Sequence, residues 1–361
     1  MSDPVRVLVV DDSALMRKLI PQILERDGSI HVVGTAMDGT FGLKKIEELN
    51  PQVITLDLEM PRMDGIETLR EITKRHHRIP VIVVSAHTTQ GASATFKALS
   101  LGAFDFVAKP KDAASAHMEN IATELITKIK AAASTKLPVP KVDITPLPAL
   151  RRAPKGQGKP HAAPSRVIAI GISTGGPNAL QYVLSQLPGD FPGSLIVVQH
   201  MPEGFTDLFA RRLDECCAIE VKEAQSGDLL VAGRALICPG NRHMKVRRMP
   251  LGNIVVLSDE ERVNGHRPSV DILFRSVAQE FGREAIAVIM TGMGEDGADA
   301  LGAVKAAGGL TIAQSEDSCV VYGMPKAAIE RGHATRVVPL DMMANTLQAQ
   351  SVAERARVVK A

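Results

Sequence analysis

Short apolar runs recur along this chain, and each one stops at a residue that can do chemistry. VRVLVV runs into Asp11 and Asp12, VITL into Asp57, VIVV into Ser85 and FDFVA into Lys109. Further on, VIAIGI runs into Ser173, LIVVQ into His200, and AIAVIM into the loop TGMGEDGA that holds Asp296. Uninterrupted apolar runs separated by helical stretches are the pattern of strands buried on both faces, as in a parallel sheet covered by helices. In an open sheet of that kind the carboxyl ends of the strands form the ligand crevice. The pattern therefore specifies an α/β chain with its chemistry gathered at strand ends.

The first third places Asp11, Asp12 and Asp57 at such ends. Three clustered carboxylates repel one another and raise each other's pKa unless a hard divalent cation sits among them. Magnesium suits the set, because it leaves coordination positions for water and phosphoryl oxygens. Asp57 is then the candidate nucleophile toward phosphorus, Ser85 a donor to a phosphoryl oxygen and Lys109 a mobile cation. Taken singly, an Asp at a strand end is usually a helix cap and a Lys before Pro a solvated loop residue. The ordered set of DD, DLEMPRMDG, VVSA and KP from Val5 to Thr135 resembles the receiver domain of two-component response regulators. That resemblance implies a flavodoxin-like fold, phosphorylation of Asp57 by a histidine kinase, Mg²⁺ held by Asp11, Asp12 and Asp57, Phe106 as the switch aromatic, and a cis Lys109–Pro110 bond.

In the second half, Ser173 lies in the glycine-rich turn GISTGG between an apolar strand and a helix. A turn of this type cradles a phosphate more often than it presents a nucleophile. GISTGG has neither the lysine of a GxxxxGK[ST] loop nor the spacing of GxGxxG or GxSxG. What favours a nucleophile is the company it keeps. A serine hydroxyl needs an imidazole to take its proton, and the imidazole needs a carboxylate to fix its tautomer. His200 and Asp296 offer both, with His243 and His266 as rival bases. No histidine or cysteine spacing in this half matches a metal site.

The blocks GISTGGPNAL, QHMPEGFT, HRPSVDILFRSVA, TGMGEDGA and AQSEDSCVVYGMPKAAI resemble, in this order, the catalytic domain of the chemotaxis protein-glutamate methylesterases, the CheB family. The resemblance spans Ser165 to Leu340. It implies a doubly wound, mainly parallel α/β domain with a Ser173, His200 and Asp296 triad. It also implies hydrolysis of glutamate γ-methyl esters on chemoreceptors, with deamidation of glutamine by the same acyl chemistry. Thr174, Gly175 and Met293 fall beside the triad, where backbone N–H groups of the Ser173 to Gly176 turn are expected to face an oxyanion. Glu295 stands where asparagine is frequent and sets another negative charge beside Asp296. The remaining alternative is an output domain that uses GISTGG as an anion nest without catalysis.

The expected organisation is a receiver over 1–135, a proline-rich linker over 136–164, a methylesterase domain over 165–345 and a C-terminal helix and tail over 346–361. With no Trp, two Tyr, nine Phe and a net charge of +2, the chain lacks stacking platforms and a basic field for nucleic acid. Cys216, Cys217, Cys238 and Cys319 show no metal spacing and read as reduced thiols. Neither a signal-peptide pattern nor a spanning apolar run is visible, so the expected location is the cytoplasm, without membrane insertion. The expected partners are chemoreceptors and the histidine kinase CheA, and the expected state is a monomer. Arg211, Arg212 and Arg267 are candidates for meeting acidic receptor helices. A phosphorylation domain tethered to a hydrolase further implies control, with the unphosphorylated receiver covering the Ser173 crevice.

Overall fold

The computed structural model describes residues 3–76, 78–86, 88–109, 115–135 and 162–358. It divides into two compact units, Met1–Ile144 and Thr145–Ala361. Pro110 and residues 136–161 lie outside the described residues, and with them the expected cis Lys109–Pro110 bond and most of the expected linker.

The first unit alternates strand and helix: β1 (Val5–Val10), α1 (Ala14–Leu24), β2 (Ile30–Ala36), α2 (Gly39–Leu49) and β3 (Val53–Asp57). It continues with α3 (Gly65–Arg75), β4 (Val81–Ser85), α4 (Thr89–Ser100), β5 (Asp105–Ala108) and α5 (Ser115–Ser134). The strands form one parallel sheet in the order β2-β1-β3-β4-β5, which is the flavodoxin-like arrangement. Every residue of β3 and β4 is buried, as a sheet covered on both faces requires. Ser13, Asp38, Asp64 and Thr88 each cap a following helix by accepting a backbone N–H, so polar residues at these strand ends also start helices.

The second unit begins with β6 (Val167–Ile172), α6 (Gly176–Ser185), β7 (Ser194–Gln199), α7 (Thr206–Cys216), β8 (Glu220–Glu223) and β9 (Arg234–Ile237). An antiparallel hairpin of β10 (His243–Arg247) and β11 (Ile254–Ser258) leads to α8 (Val270–Phe281). Then come β12 (Ala285–Ile289), α9 (Ala298–Ala306), β13 (Leu310–Gln314), α10 (Met324–Glu330), β14 (Arg336–Val338) and α11 (Leu340–Val358). The main sheet is parallel, ordered β14-β13-β12-β6-β7-β9-β8. Chain order reverses about β6, so the crevice beyond the ends of β6, β7 and β12 is the topological switch point.

The core beneath that crevice joins Ala169, Ile196, Leu236, Ala287 and Ile289 of the sheet to Val270, Leu273, Phe274 and Val277 of α8. The expected boundary at 345/346 falls inside α11, whose Leu347 and Ser351 are buried and whose Ser351 carbonyl accepts from the Ser165 hydroxyl at 2.9 Å. The four cysteines are reduced thiols, outside any disulfide. Among the described residues no helix is long and apolar enough to cross a membrane.

Candidate active site and phosphoacceptor site

Register alone brings the second unit's candidates together. Ile172 of β6 pairs with Gln199 of β7, so the next residues, Ser173 and His200, leave the sheet on neighbouring strands. The ladder continues past the strands: His200 N donates to Ile172 O at 3.0 Å and Ser173 N to Thr291 O at 3.0 Å. Gln199, buried below, donates from Nε2 to the carbonyls of Ser173 (3.0 Å) and His200 (3.1 Å) and so ties both loops. The turn itself needs Gly175. Its φ of +73° favours glycine, and a Cβ there would lie 2.5 Å from Val320 Cβ.

Asp296 is 1 % exposed and closes the N-terminus of α8. Its Oδ2 accepts from Val270 N at 2.7 Å and from His200 Nε2 at 2.9 Å. Oδ1 accepts from Ser269 Oγ at 2.8 Å and Asn264 Nδ2 at 3.1 Å, with Asp271 N at 3.4 Å. Burial pushes this carboxyl up, but the bond and charge of His200 and the donors at Val270 and Ser269 outweigh it, and the group is held well below the usual carboxylate range. Positive charge at a helix N-terminus adds in the same sense. Asp296 therefore stays ionised and directs His200 through Nε2. The other ring nitrogen, Nδ1, is buried without a hydrogen bond, and the Ser173 hydroxyl is not bonded to the ring. Bonds of this kind often tighten only with substrate in place.

The rival histidines fall into other roles. His243 is fully buried on β10, where Nδ1 accepts from Ser269 N at 3.2 Å and Nε2 faces Glu261 O at 3.0 Å. With both nitrogens engaged it serves the framework. His266 lies flat on His200, ring centroids 3.9 Å apart and planes 3° from parallel. Burial first, and then the neighbouring His200, push its pKa down to about 4, so it is neutral at ordinary pH.

Thr174 is buried and its carbonyl accepts from Thr291 Oγ1 at 3.0 Å. Two N–H groups of the turn are already engaged, Ser173 on Thr291 O and Gly176 on Ser173 O, which leaves those of Thr174 and Gly175. Met293 stands half-buried in the facing loop. Glu295 turns away from Asp296 and pairs with Arg331, which also holds Asp299 at 3.1 Å. Arg267 is spent on the framework: it donates to Asn241 Oδ1 and to the carbonyls of Asp259 and Glu260. Arg211 pairs with Asp207 on its own helix. The described cis bond is Arg267–Pro268.

In the first unit, Val10 pairs with Leu56 and Asp57 with Val84, so Asp11 and Asp57 leave the sheet side by side. One carboxylate oxygen from each of Asp11, Asp12 and Asp57 lies within 4.8 Å of the other two. Asp11 and Asp57 are buried and Asp12 is exposed. Lys109 Nζ lies 2.6 Å from Asp57 Oδ2 and 3.1 Å from Asp11 Oδ2. Burial pushes Asp57 up to about 6, with Asp11 adding to the shift and Lys109 opposing it. Burial lowers Lys109, but the two carboxylates outweigh that and hold it above its ordinary value. Asp11 and Asp57 share the Lys109 ammonium, and an all-oxygen acidic set of three carboxylates fits a hard cation such as Mg²⁺. Ser85 donates to Gly91 O at 3.0 Å, within its own loop and helix start. Phe106 is buried, edge-on to Phe96 at 6.4 Å, with Lys128 Nζ 5.2 Å from its ring centre.

Sequence and geometry together define a class: a flavodoxin-like unit with an acidic strand-end pocket, followed by a doubly wound unit with Ser, His and Asp at its switch point. The response regulator receiver domain model matches residues 7–119 and the CheB methylesterase model residues 168–347. The chain is 68 % identical to protein-glutamate methylesterase/protein-glutamine glutaminase 2 of Koribacter versatilis, covering 98 % of each. It is 46 % identical to the protein-glutamate methylesterase/protein-glutamine glutaminase of Symbiobacterium thermophilum, covering 95 % of this chain and 96 % of that one. The crystal structure of the Thermotoga maritima CheB methylesterase catalytic domain is 39 % identical, with a TM-score of 0.50, covering 51 % of this chain and 98 % of that one. The chain belongs to the CheB methylesterase family, with a response regulator receiver domain ahead of the catalytic domain.

Proposed function

We propose that this protein hydrolyses glutamate γ-methyl esters on chemoreceptors to glutamate and methanol, and glutamine side chains to glutamate and ammonia, under control of receiver phosphorylation. The observation that carries the reading is the buried Asp296 carboxylate 2.9 Å from Nε2 of a histidine that leaves the sheet beside Ser173. His200 takes the Ser173 proton at Nδ1 as Oγ attacks the γ-carbonyl carbon. The imidazolium so formed is stabilised by Asp296, whose charge is fixed by Val270 and Ser269. Backbone N–H groups of Thr174, Gly175 and Met293 face the oxyanion. The proton passes from His200 to the leaving methoxide or amine, and a water activated by the same nitrogen cleaves the acyl-enzyme. An anion nest fits less well, because it gives no role to the buried Asp296–His200 pair.

In the receiver, Asp57 attacks the phosphorus of a phosphohistidine on a kinase of the CheA type, and the P–N bond breaks. Asp11, Asp12 and Asp57 would hold Mg²⁺, which when bound would neutralise phosphoryl charge. Lys109 moves to a phosphoryl oxygen, Ser85 releases Gly91 O to donate to another, and Phe106 follows as the switch aromatic. The stretch 136–164 links 1–135 to the catalytic residues that begin near Ser165, and the protein works in the cytoplasm as a monomer.

A serine-directed organophosphonate and a methanol-release assay on methylated receptors test the reading. Ser173 is expected to be labelled, and Ser173→Ala to lower turnover about 10⁴-fold or more with the fold intact. Near-parental turnover in folded Ser173→Ala would remove the serine mechanism.

A further inference from the structure

We propose that the turn Val263–His266 is the positioning element of the catalytic base, with His266 fixing the plane of the His200 ring by stacking on it. The proposal rests on His200 being the base. Val263 and His266 exchange backbone hydrogen bonds at 3.1 and 2.9 Å. The two residues between them, Asn264 at φ +53° and Gly265 at φ +78°, make this the tight Asn-Gly hairpin turn in which both central residues take positive φ. The turn grips the triad at two points. Asn264 Nδ2 donates to Asp296 Oδ1 at 3.1 Å and to Asp271 Oδ2 at 3.0 Å, so one amide holds the triad carboxylate to a second buried one. Two residues on, the His266 ring lies 3.9 Å from His200 and within 3° of parallel.

A base gripped only through Nε2 can still swing about that single bond. A flat ring against its face removes the swing, so the plane of the ring, and with it the direction of Nδ1, is fixed. The titratable and charged groups facing His266 are His200, Asp296 and Arg262. His266 stays neutral there, and a neutral π-face tolerates the imidazolium that forms on His200, where a second cation would repel it. His266 needs no nitrogen for this task. It needs only to be planar and uncharged.

The test compares two replacements that both fill the space, one flat and one not, in the full phosphorylated chain. His266→Leu is expected to lower kcat about 10- to 100-fold, the cost of a misplaced reacting group, with KM within about twofold. His266→Phe is expected to lie within about threefold of the parent, with an unchanged pH profile. In proton NMR, the downfield His200 Nε2–H signal should broaden in His266→Leu and stay sharp in His266→Phe. Near-parental kcat values and equally sharp signals in both variants would reduce His266 to packing and overturn the proposal. A His266→Phe as slow as His266→Leu would overturn it too, by showing that a ring nitrogen is required. Ser173→Ala is assayed alongside. If it retains turnover, the serine mechanism has failed, whatever the His266 variants show.

Discussion

Asp296 Oδ2 lies 2.7 Å from Val270 N, so the carboxylate that directs His200 also caps the helix α8. One residue thus joins a catalytic alignment to a structural contact. Asp296→Asn keeps a side-chain oxygen for the helix but cannot both accept from His200 Nε2 and satisfy the N–H groups. Turnover is expected to fall about 10³- to 10⁴-fold, as when a triad carboxylate is made an amide. Stability should fall by about 1–3 kcal/mol, the range for losing a charged hydrogen bond in a buried site. Methanol release and chemical denaturation measure the two effects. Full activity in Asp296→Asn would show that the carboxylate is only a cap.

Glu295 gives the opposite expectation. It is adjacent to Asp296 in sequence, yet its side chain is 65 % exposed and paired with Arg331. Exposed pairs of this kind contribute about 0–1 kcal/mol. Glu295→Asn should leave turnover within about twofold and stability within about 0.5 kcal/mol of the parent. A change of tenfold or more in kcat would mean that the Glu295 charge acts on the triad.

Asp57 carries a pH dependence that can be signed. Its folded pKa is raised from 3.8 to about 6, so ionisation of Asp57 costs the folded receiver stability. That cost is absent below 3.8, grows as pH rises from there and is complete above about 6. In the absence of Mg²⁺, Asp57→Asn should therefore stabilise the receiver above pH 6 by roughly 3 kcal/mol, and by little near pH 4. Amide exchange of β3 and β4 in the full chain reports this. The same replacement, or Asp57→Ala, should abolish Mg²⁺-dependent labelling by a small phosphodonor, and Asp12→Ala should weaken it strongly. Equal incorporation in Asp57→Ala would remove Asp57 as the acceptor.

The strand ends were legible because chemistry and hydrophobicity meet there. VITLD or LIVVQH stops being apolar at the residue that leaves a buried parallel strand, so Asp57 and His200 stand out. β2 was not singled out, because IHVVGTA is a half-exposed edge strand without such a contrast. In the sequence His266 is only a rival base, and Asn264 and Gln199 carry no signal of a role at the site. Stacking and shared hydrogen bonds depend on side-chain directions that strand patterns do not encode. The Asn-Gly pair was the visible sign of the 263–266 turn, since this dipeptide marks a tight hairpin. The partners of Arg267 were not legible for a related reason: only the folded loop brings Asn241 and two carbonyls around its guanidinium.

Carrying a phosphoacceptor and a hydrolase in one chain makes sense if the first governs the second. Phosphorylation places about two negative charges on Asp57. On the proposed reading Lys109, now 2.6 Å from Asp57 Oδ2, would turn to a phosphoryl oxygen, and the receiver would rearrange with it. A rearrangement of this kind couples sites by about 1–3 kcal/mol, or roughly 5- to 150-fold in equilibrium. A chain beginning near Ser165 should then turn over methyl ester without phosphodonor, at a rate the full chain reaches only when Asp57 is phosphorylated. Residues 145–361 form a compact unit, and the Thermotoga maritima relative was crystallised as its catalytic domain, so the shortened chain is a fair comparison. Initial rates of the two chains, with and without phosphodonor, decide the matter. A shortened chain as slow as the unphosphorylated full chain would mean that the receiver activates by assembling the active site rather than by releasing it from inhibition.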